Sequence, residues 1–266
     1  MAAGWLQVPR AWLESIGEIA RFCGVVMGLV FSGRVFRYFG EVLNQAGILI
    51  LGSTTVIWGL VFVLGLQCGI EGAYFNRSVG APAYAGVFAA WCDLREVIPY
   101  AFGYMMSAKV GTGIVAELGA MRISDEIDAL DAMGIKSVPF LVGTRVLAAL
   151  VCVIPIYMIG LLASYLSTRT VVVFFNGASA GTYDFFFHLA LGPRDLVYSV
   201  LKAVVFAVVV ALVHCTYGYF ASGGPAGVGQ AAGRALRTAI LAVGVLDVLM
   251  TFALWGLVPE IPGMGV

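Results

Sequence analysis

The sequence predicts an all-α integral membrane protein. Of its 266 residues, 61% are hydrophobic and 11% are charged, whereas a soluble domain carries about 25% charged residues. So few charges cannot solvate the surface of a globular domain, and the long uncharged stretches match the ~20 residues that a helix needs to cross a bilayer. The 15 basic and 15 acidic residues balance, which leaves no net field to attract a nucleic acid.

Residues 1–40 predict an amphipathic helix that lies in the membrane interface. Apolar residues recur at helical spacing, and charged residues occupy the other face. The apolar face comprises Trp5, Val8, Trp12, Ile16 and Ile19, and the polar face comprises Arg10, Glu14, Glu18 and Arg21. Trp residues opposite Arg residues are typical of a helix in the headgroup plane. A solvated helix that packs on the protein itself is the alternative.

The gaps between charged residues predict about five membrane-spanning helices within residues 41–258. These spans cover residues 41–71, 97–116, 146–168, 196–219 and 238–258. The second contains Lys109, the fourth Lys202 and the fifth Asp247, whereas the third is free of charge.

Basic residues in the connections predict a cytoplasmic N-terminus and an extracytoplasmic C-terminus. That orientation places more Lys and Arg residues on the cytoplasmic side, as the positive-inside rule requires. The cytoplasmic residues are Arg10, Arg21, Arg34, Arg37, Arg122, Lys136, Arg145, Arg234 and Arg237, and the outer ones are Arg77, Arg95, Arg169 and Arg194.

The cysteines show no pattern that predicts a metal site. They are far apart and contain no CxxC pair, so we expect small apolar residues in a hydrophobic setting. They are Cys23, Cys68, Cys92, Cys152 and Cys215. His214 next to Cys215 lacks the further ligands that a metal would need.

Residues 117–134 predict a short cytoplasmic helix between the second and third spans. Ser124 suits an N-cap, the following carboxylates suit the positive end of a helix dipole, and Gly134 suits a left-handed C-terminal position. A helix this short is not stable alone in water, so it must dock on its own chain or on a cytoplasmic partner. The expected docking residues are Glu117, Arg122, Ser124, Asp125, Glu126, Ile127, Asp128, Leu130, Asp131 and Met133.

The polar positions of this region resemble those of the MlaE/YrbE permease family. The run Ala116–Gly134 is similar to the family's signature, and the segments LREVIP (94–99) and AKVGTG (108–113) are similar to its preceding motifs. Residues 217–229 resemble its second cytoplasmic loop, in the version found in actinobacterial YrbE proteins. The matches run from about residue 45 to 258. Thr144 and Ala226 depart from the pattern, where many members have Pro and an acidic residue.

The resemblance implies one permease domain over residues 1–266 of an ABC-type lipid transporter in the cell inner (plasma) membrane. Such permeases pair with a second permease, identical or different, and bind two copies of a cytoplasmic ATPase that holds ATP and Mg. Outside the membrane they meet MCE-domain proteins, and their lipids are fatty or mycolic acids, phospholipids or sterols. Residues 117–134 would then form the coupling helix. This chain has no GxxxxGK[ST] motif, so we expect it to be non-catalytic and to hold no cofactor.

Charged residues inside the membrane indicate where a lipid could bind. Burying one costs roughly 2.5–3.5 kcal/mol on insertion scales, which favours a functional reason for keeping it. We expect Arg95, Glu96 and Lys202 to line a lipid cavity in which a cation holds a phosphate or carboxylate headgroup. The structural alternative is that Arg95 pairs with Glu96 or Asp93 and that Lys202 extends to the interface.

An ion- or proton-coupled secondary transporter is the alternative function, with Lys109, Lys202 and Asp247 as its relay. Transporters of that class usually contain inverted repeats, and no internal repeat is visible in this sequence.

Small residues along the second span predict a close contact with another helix. They are Gly103, Ser107, Gly111, Ala116 and Ala120. The sequence does not say whether this contact lies within the chain or across a dimer.

Overall fold

A computed structural model describes the backbone of residues 4–256 and the side chains of residues 17–256, and in this part of the chain every regular element is helical. The α-helices are α1 (Gly4–Phe31), α2 (Phe39–Ser78), α3 (Ala85–Trp91), α4 (Ile98–Met105), α5 (Thr112–Ile123), α6 (Glu126–Ala132), α7 (Thr144–Thr170), α8 (Ala180–Ala190), α9 (Pro193–Tyr219) and α10 (Gly224–Trp255). The π-helical segments are Cys92–Val97, Met106–Gly111, Val138–Gly143 and Val171–Phe175, and the 3₁₀ turns are Arg34–Tyr38 and Pro82–Tyr84.

Within residues 4–256, four helical runs are long and apolar enough to cross a membrane. They are Arg34–Ser78, Val138–Phe175, Pro193–Tyr219 and Gly224–Trp255, and they correspond to the first, third, fourth and fifth predicted spans.

The second predicted span is a helix but is less apolar than the other four. It belongs to a continuous helical run in which two π-helical segments join α3, α4 and α5. This run packs among α2, α9 and α10. Protein therefore surrounds much of it, and contacts between helices in a membrane favour small and polar residues over large apolar ones.

Glycines on one face of α2 allow α7 to approach closely. A Cβ atom at Gly65 would lie 2.5 Å from the carbonyl oxygen of Ser164, and one at Gly69 would lie 2.9 Å from that of Thr168. Both distances are shorter than any ordinary contact of a side chain. The α2–α7 pair therefore depends on residues without a side chain at these positions.

Three of the five small residues of the second span, Gly103, Ser107 and Gly111, make close contacts within the chain, whereas Ala116 and Ala120 are exposed. A Cβ atom at Gly103 would lie 2.9 Å from Val243 of α10. One at Gly111 would lie 2.5 Å from the ring of His214 on α9. Ser107, between the two glycines, is fully buried.

The N-terminal segment is helical, but the helix is shorter than residues 1–40. It ends at Phe31, and Gly33 adopts a left-handed conformation (φ 74°) before the 3₁₀ turn. Val26 and Val30 are buried in the core of the bundle, so the second half of α1 packs on the protein. The predicted apolar face from Trp5 to Ile16 lies outside the described side chains, and the interfacial position of α1 stays a prediction.

Cys68 on α2 and Cys92 form a disulfide with their Cα atoms 6.1 Å apart. The expectation that all cysteines are separate apolar residues is wrong for this pair, because folding joins positions 24 residues apart that no local motif connects. Cys68, Cys92 and the buried Asp93 bring three potential metal ligands within 4.8 Å of one another, but the disulfide occupies both sulfur atoms. Cys23, Cys152 and Cys215 are free thiols.

Candidate coupling surface and intramembrane charge network

The predicted coupling helix is α6, and its C-terminal end forms as the sequence predicts. Gly134 is left-handed (φ 79°). Its N–H donates to the carbonyl of Asp131, and the N–H of Ile135 donates to the carbonyl of Leu130, both at 3.0 Å. This pair of bonds is a Schellman motif, which satisfies the last carbonyl groups of a helix.

The start of α6 differs from the prediction, because Ser124 is not its N-cap. Ser124 ends α5, and its Oγ lies 2.9 Å from the carbonyl oxygen of Ala120 and 3.0 Å from Glu126 Oε1. Asp125 takes the N-cap position with a left-handed backbone (φ 59°), and its side chain caps no backbone N–H. The sharp turn between α5 and α6 directs the Ser124 hydroxyl to a carbonyl of the preceding helix and to the Glu126 side chain, and not to a backbone N–H of α6.

One face of α6 docks on its own chain. Ile127 is fully buried within the main core of the bundle, and Leu130 packs against the same core. Met133, the third large apolar residue among the expected docking residues, is 68% exposed. Ile127 and Leu130 therefore anchor α6, whereas Met133 stays available.

Two polar contacts fix the ends of the coupling segment. Asp131 Oδ1 and Oδ2 accept hydrogen bonds of 2.9 Å from the N–H and the hydroxyl of Ser137, and Tyr219 donates to the same Ser137 hydroxyl at 2.8 Å. Glu117 forms an ion pair of 2.6 Å with Arg145, whose side chain is buried. Asp131 and Glu117 thus position the segment on α9 and α7.

The remaining polar residues of the segment face outward. Asp128 pairs with Arg122 at 2.7 Å, and both side chains are substantially exposed. Asp125 and Glu126 are exposed as well. With Met133 they form a surface that combines one large apolar side chain with several carboxylates.

The predicted cavity residue Lys202 lies in an intramembrane network of charges. It is fully buried, and its Nζ lies 2.7 Å from Asp247 Oδ1. The same Nζ donates to the carbonyl of Arg95 at 2.7 Å and to Thr251 Oγ1 at 2.9 Å. Two hydrogen bonds and the ion pair with Asp247 thus surround the ammonium group, and the fully buried side chain offers no exposed surface to a lipid headgroup in this arrangement.

The π-helical segment Cys92–Val97 supplies the backbone part of this network. A π-turn disturbs the regular pairing of main-chain carbonyls. The carbonyl of Leu94 accepts from Ser199, and that of Arg95 accepts from Lys202. Both donors lie on α9, so the irregular turn fixes this segment against α9.

Glu96 and Arg95 form the accessible edge of the network. The Glu96 side chain is 46% exposed, lies 3.6 Å from Lys202 and accepts from Thr251 at 3.2 Å. The Arg95 side chain, 15% exposed, pairs with Asp195 at 3.4 Å. Its guanidinium also lies 4.6 Å from the centre of the Trp91 ring, a cation–π contact.

The structure brings the three predicted cavity residues together with partners that the sequence analysis did not select. These partners are Asp195, Ser199, Thr251 and Trp255. Asp247, Thr251 and Trp255 follow one another at intervals of four residues, which places them on one face of α10. This spacing from Asp247 is the sequence signal that identifies Thr251 and Trp255. The proposed pairing of Arg95 with Asp93 or Glu96 is wrong, because Asp195 of α9 is the carboxylate in reach.

Comparison with known proteins settles the family. The family described as Permease MlaE matches residues 42–253, which is most of the chain. The chain belongs to the MlaE permease family. This MlaE-family chain is 30% identical over 241 residues to a probable ABC transporter permease protein of Rickettsia conorii, covering 90% of this chain and 91% of that protein.

Two further relatives carry more informative names. The Haemophilus influenzae intermembrane phospholipid transport system permease protein MlaE is 22% identical over 229 residues, with 86% of this chain and 88% of that protein covered. The chloroplastic protein TRIGALACTOSYLDIACYLGLYCEROL 1 of Arabidopsis thaliana is 27% identical over 212 residues, with 78% and 57% covered.

Family membership and the four apolar helices confirm a multi-pass permease of the inner membrane and a transport subunit of an ABC system. The ten coupling residues and the three cavity residues named from the sequence stay predictions about function.

Proposed function

We propose that this MlaE-family permease is the membrane subunit of an ATP-driven lipid transporter that receives its energy through α6. The observation that carries the proposal is the division of α6 into two faces. Ile127 anchors it in the bundle, whereas Met133 and the carboxylates face away from the chain. A helix fixed on one side and unpartnered on the other can transmit movement from a cytoplasmic ATPase into the bundle.

The proposal includes the remaining subunits that the family resemblance implies. Two copies of the ATPase would hold ATP and Mg, a second YrbE permease, identical or different, would complete the membrane part, and MCE-domain proteins would continue the path outside. The transported lipids would be fatty or mycolic acids, phospholipids or sterols. The name of the Haemophilus influenzae relative, an intermembrane phospholipid transport permease, supports the lipid class.

We assign the headgroup contact to the accessible edge of the charge network. Glu96 and Arg95 reach the surface of the bundle, whereas Lys202 is enclosed behind them. Lys202 would therefore be a positioning residue that holds the π-helical segment and Glu96 in place. The headgroup itself would meet the guanidinium and the carboxylate.

The coupling role can be tested by removing charge from the outward face of α6. In Asp125→Asn/Glu126→Gln/Asp128→Asn, the apolar anchor Ile127 is intact. We expect the permease to fold, but to lose ATPase co-purification or lipid-stimulated ATP hydrolysis.

The control is Glu71→Gln/Asp184→Asn, which removes two carboxylates outside the coupling segment and should leave hydrolysis unchanged. Normal ATPase binding and stimulation in the α6 variant would refute the coupling role.

A secondary transporter is the competing function, and the buried Lys202–Asp247 pair beside Glu96 is the observation that favours it. Such a network could exchange protons during transport. If the isolated chain in liposomes moved substrate in response to an ion or proton gradient without any ATPase, this reading would replace the first.

A further inference from the structure

Two adjoining cavities lie between α1 and the base of the bundle, at the end that carries α6. Their volumes are about 750 Å³ and about 860 Å³. Both are lined by Leu29 of α1 and by Val138 of the segment that leads into α7. They therefore meet along one wall, and neither contains a residue of the charge network described above.

The first cavity is cationic. Arg34, Arg37 and Lys136 line it, and none of them forms an ion pair with a carboxylate of residues 17–256. Asp131 lines the same cavity, but both of its oxygens accept hydrogen bonds from Ser137. Three positive charges against one carboxylate leave the lining of this cavity with a positive excess, which favours an anion.

The second cavity offers a long apolar wall. Its apolar lining residues are Ile19, Phe22, Val25, Leu29, Val138 and Phe220. Charged side chains stand among them, namely Glu18, Arg21 and Arg234. A cationic cavity that opens beside an apolar one matches a molecule with an anionic head and a hydrocarbon chain.

The surroundings place both cavities at the membrane boundary. The first membrane-crossing run begins at Arg34, and three phenylalanines around it have large exposed fractions. They are Phe31 (81%), Phe36 (56%) and Phe39 (49%). Exposed aromatic side chains next to Arg residues are typical of a segment in contact with lipid headgroups.

We propose that this double cavity binds an anionic phospholipid of the leaflet on the α6 side. Arg34, Arg37 and Lys136 would hold the phosphate of its headgroup, and its acyl chain would lie along Phe22 and Leu29. Basic pockets between membrane helices hold anionic headgroups in this way. A free phosphate ion would use the same cations but would leave the apolar cavity unfilled.

Occupancy of this site would link the lipid composition of the membrane to the coupling segment. Lys136 follows α6 by four residues, and Ser137 carries the hydrogen bonds that fix Asp131. The lipid would contact both this segment and the 3₁₀ turn Arg34–Tyr38. This inference concerns a site apart from the transported lipid and does not depend on the proposed direction or substrate of transport.

The experiment measures which lipids the full chain keeps, together with any subunits that purify with it. The detergent-solubilised protein is mixed with equal amounts of phosphatidylglycerol and phosphatidylcholine, and bound lipids are counted by native mass spectrometry. A basic residue near the headgroups contributes ~1 kcal/mol, which is about fivefold in binding. Lys136→Gln should therefore lower the preference for phosphatidylglycerol about fivefold, and Arg34→Gln/Arg37→Gln about 25-fold.

Two further variants separate the possible explanations. Arg77→Gln/Arg237→Gln makes the same change in charge outside both cavities and outside the coupling segment, and should keep the preference. Leu29→Trp narrows the junction between the cavities with every cation in place. It should reduce retention of phosphatidylglycerol but leave the weak binding of inorganic phosphate unchanged.

Four results would overturn the proposal. Equal retention of both lipids by the unchanged protein would show that no anionic lipid is selected. An equal loss in the Arg77/Arg237 variant would show a general effect of charge. Phosphatidylglycerol retention that is insensitive to Leu29→Trp and abolished by inorganic phosphate would indicate a free-anion site. Loss of a partner subunit from the cation variants with lipid retention unchanged would indicate a protein-docking surface.

Discussion

Replacing Asp247 with alanine should destabilise the bundle by about 3 kcal/mol. Lys202 is fully buried, and its ammonium group lies 2.7 Å from Asp247 and 3.6 Å from Glu96. Removing one member of a buried ion pair costs roughly 3–5 kcal/mol, because the other charge stays buried without compensation. We expect the lower value for Asp247→Ala, since Glu96 and the hydroxyl of Thr251 still stabilise the ammonium group.

Lys202→Met should cost more, about 4–5 kcal/mol, because it leaves two carboxylates facing each other without a cation. The double variant Lys202→Met/Asp247→Leu replaces the pair with apolar side chains, which is often close to neutral in a buried site. It should therefore be more stable than either single variant. Unfolding in detergent, followed by tryptophan fluorescence over a range of denaturant, measures all three values.

The exposed pair Arg122–Asp128 is the matched control for this cycle. Arg122→Gln should change stability by no more than about 1 kcal/mol, as expected for a solvated ion pair. If the effects of Lys202→Met and Asp247→Ala added without interaction, or if either single change cost less than about 1 kcal/mol, the reasoning from a buried, mutually dependent pair would be refuted.

Three other predictions concern the packing of the bundle. Cys68→Ala/Cys92→Ala should lower the free energy of unfolding by about 3 kcal/mol through the lost loop constraint, and a reducing agent should destabilise the unchanged protein but not the variant. Gly65→Val should cost about 2–3 kcal/mol, because its Cβ would lie 2.5 Å from the Ser164 carbonyl oxygen. Gly52→Ala on the same helix faces open space and should be neutral or slightly stabilising, so equal melting temperatures for these two variants would contradict the packing argument. Asp131→Ala should expose the chain around Ser137 to limited proteolysis, because both carboxylate oxygens hold that residue; Asp128→Ala, whose partner Arg122 is exposed, should not, and equal cleavage of the two variants would disprove the anchoring role.

Four of the membrane-crossing helices and α6 can be predicted from the sequence because their signals are local. Long uncharged stretches mark the spans, and Gly134 marks the end of α6. The prediction that Ser124 is the N-cap is wrong for a local reason as well. Its position before three acidic residues fits an N-cap, but the tight turn at Asp125 gives that position to its neighbour.

The charge network shows the limit of local patterns. Lys202 and Asp247 each stand out as charges within apolar stretches, but nothing in their separation of 45 positions along the chain says that they touch. The carboxylate that pairs with Arg95 comes from α9, 100 residues further on. The disulfide is likewise not predictable from a local pattern, because α2 and the helical run after it must pack together before Cys68 can reach Cys92.

The low charge content alone places this chain in a membrane, because so few charged residues cannot keep the surface of a soluble domain hydrated. The few remaining charges and the polar motifs around α6 were enough to identify the family. Whether each charge is free or neutralised depended on how the helices pack. Packing encloses Lys202 with three partners and leaves Arg34, Arg37 and Lys136 around an open cavity. The availability of a charge is set by neighbours distant in the chain, and these become neighbours only in the folded bundle.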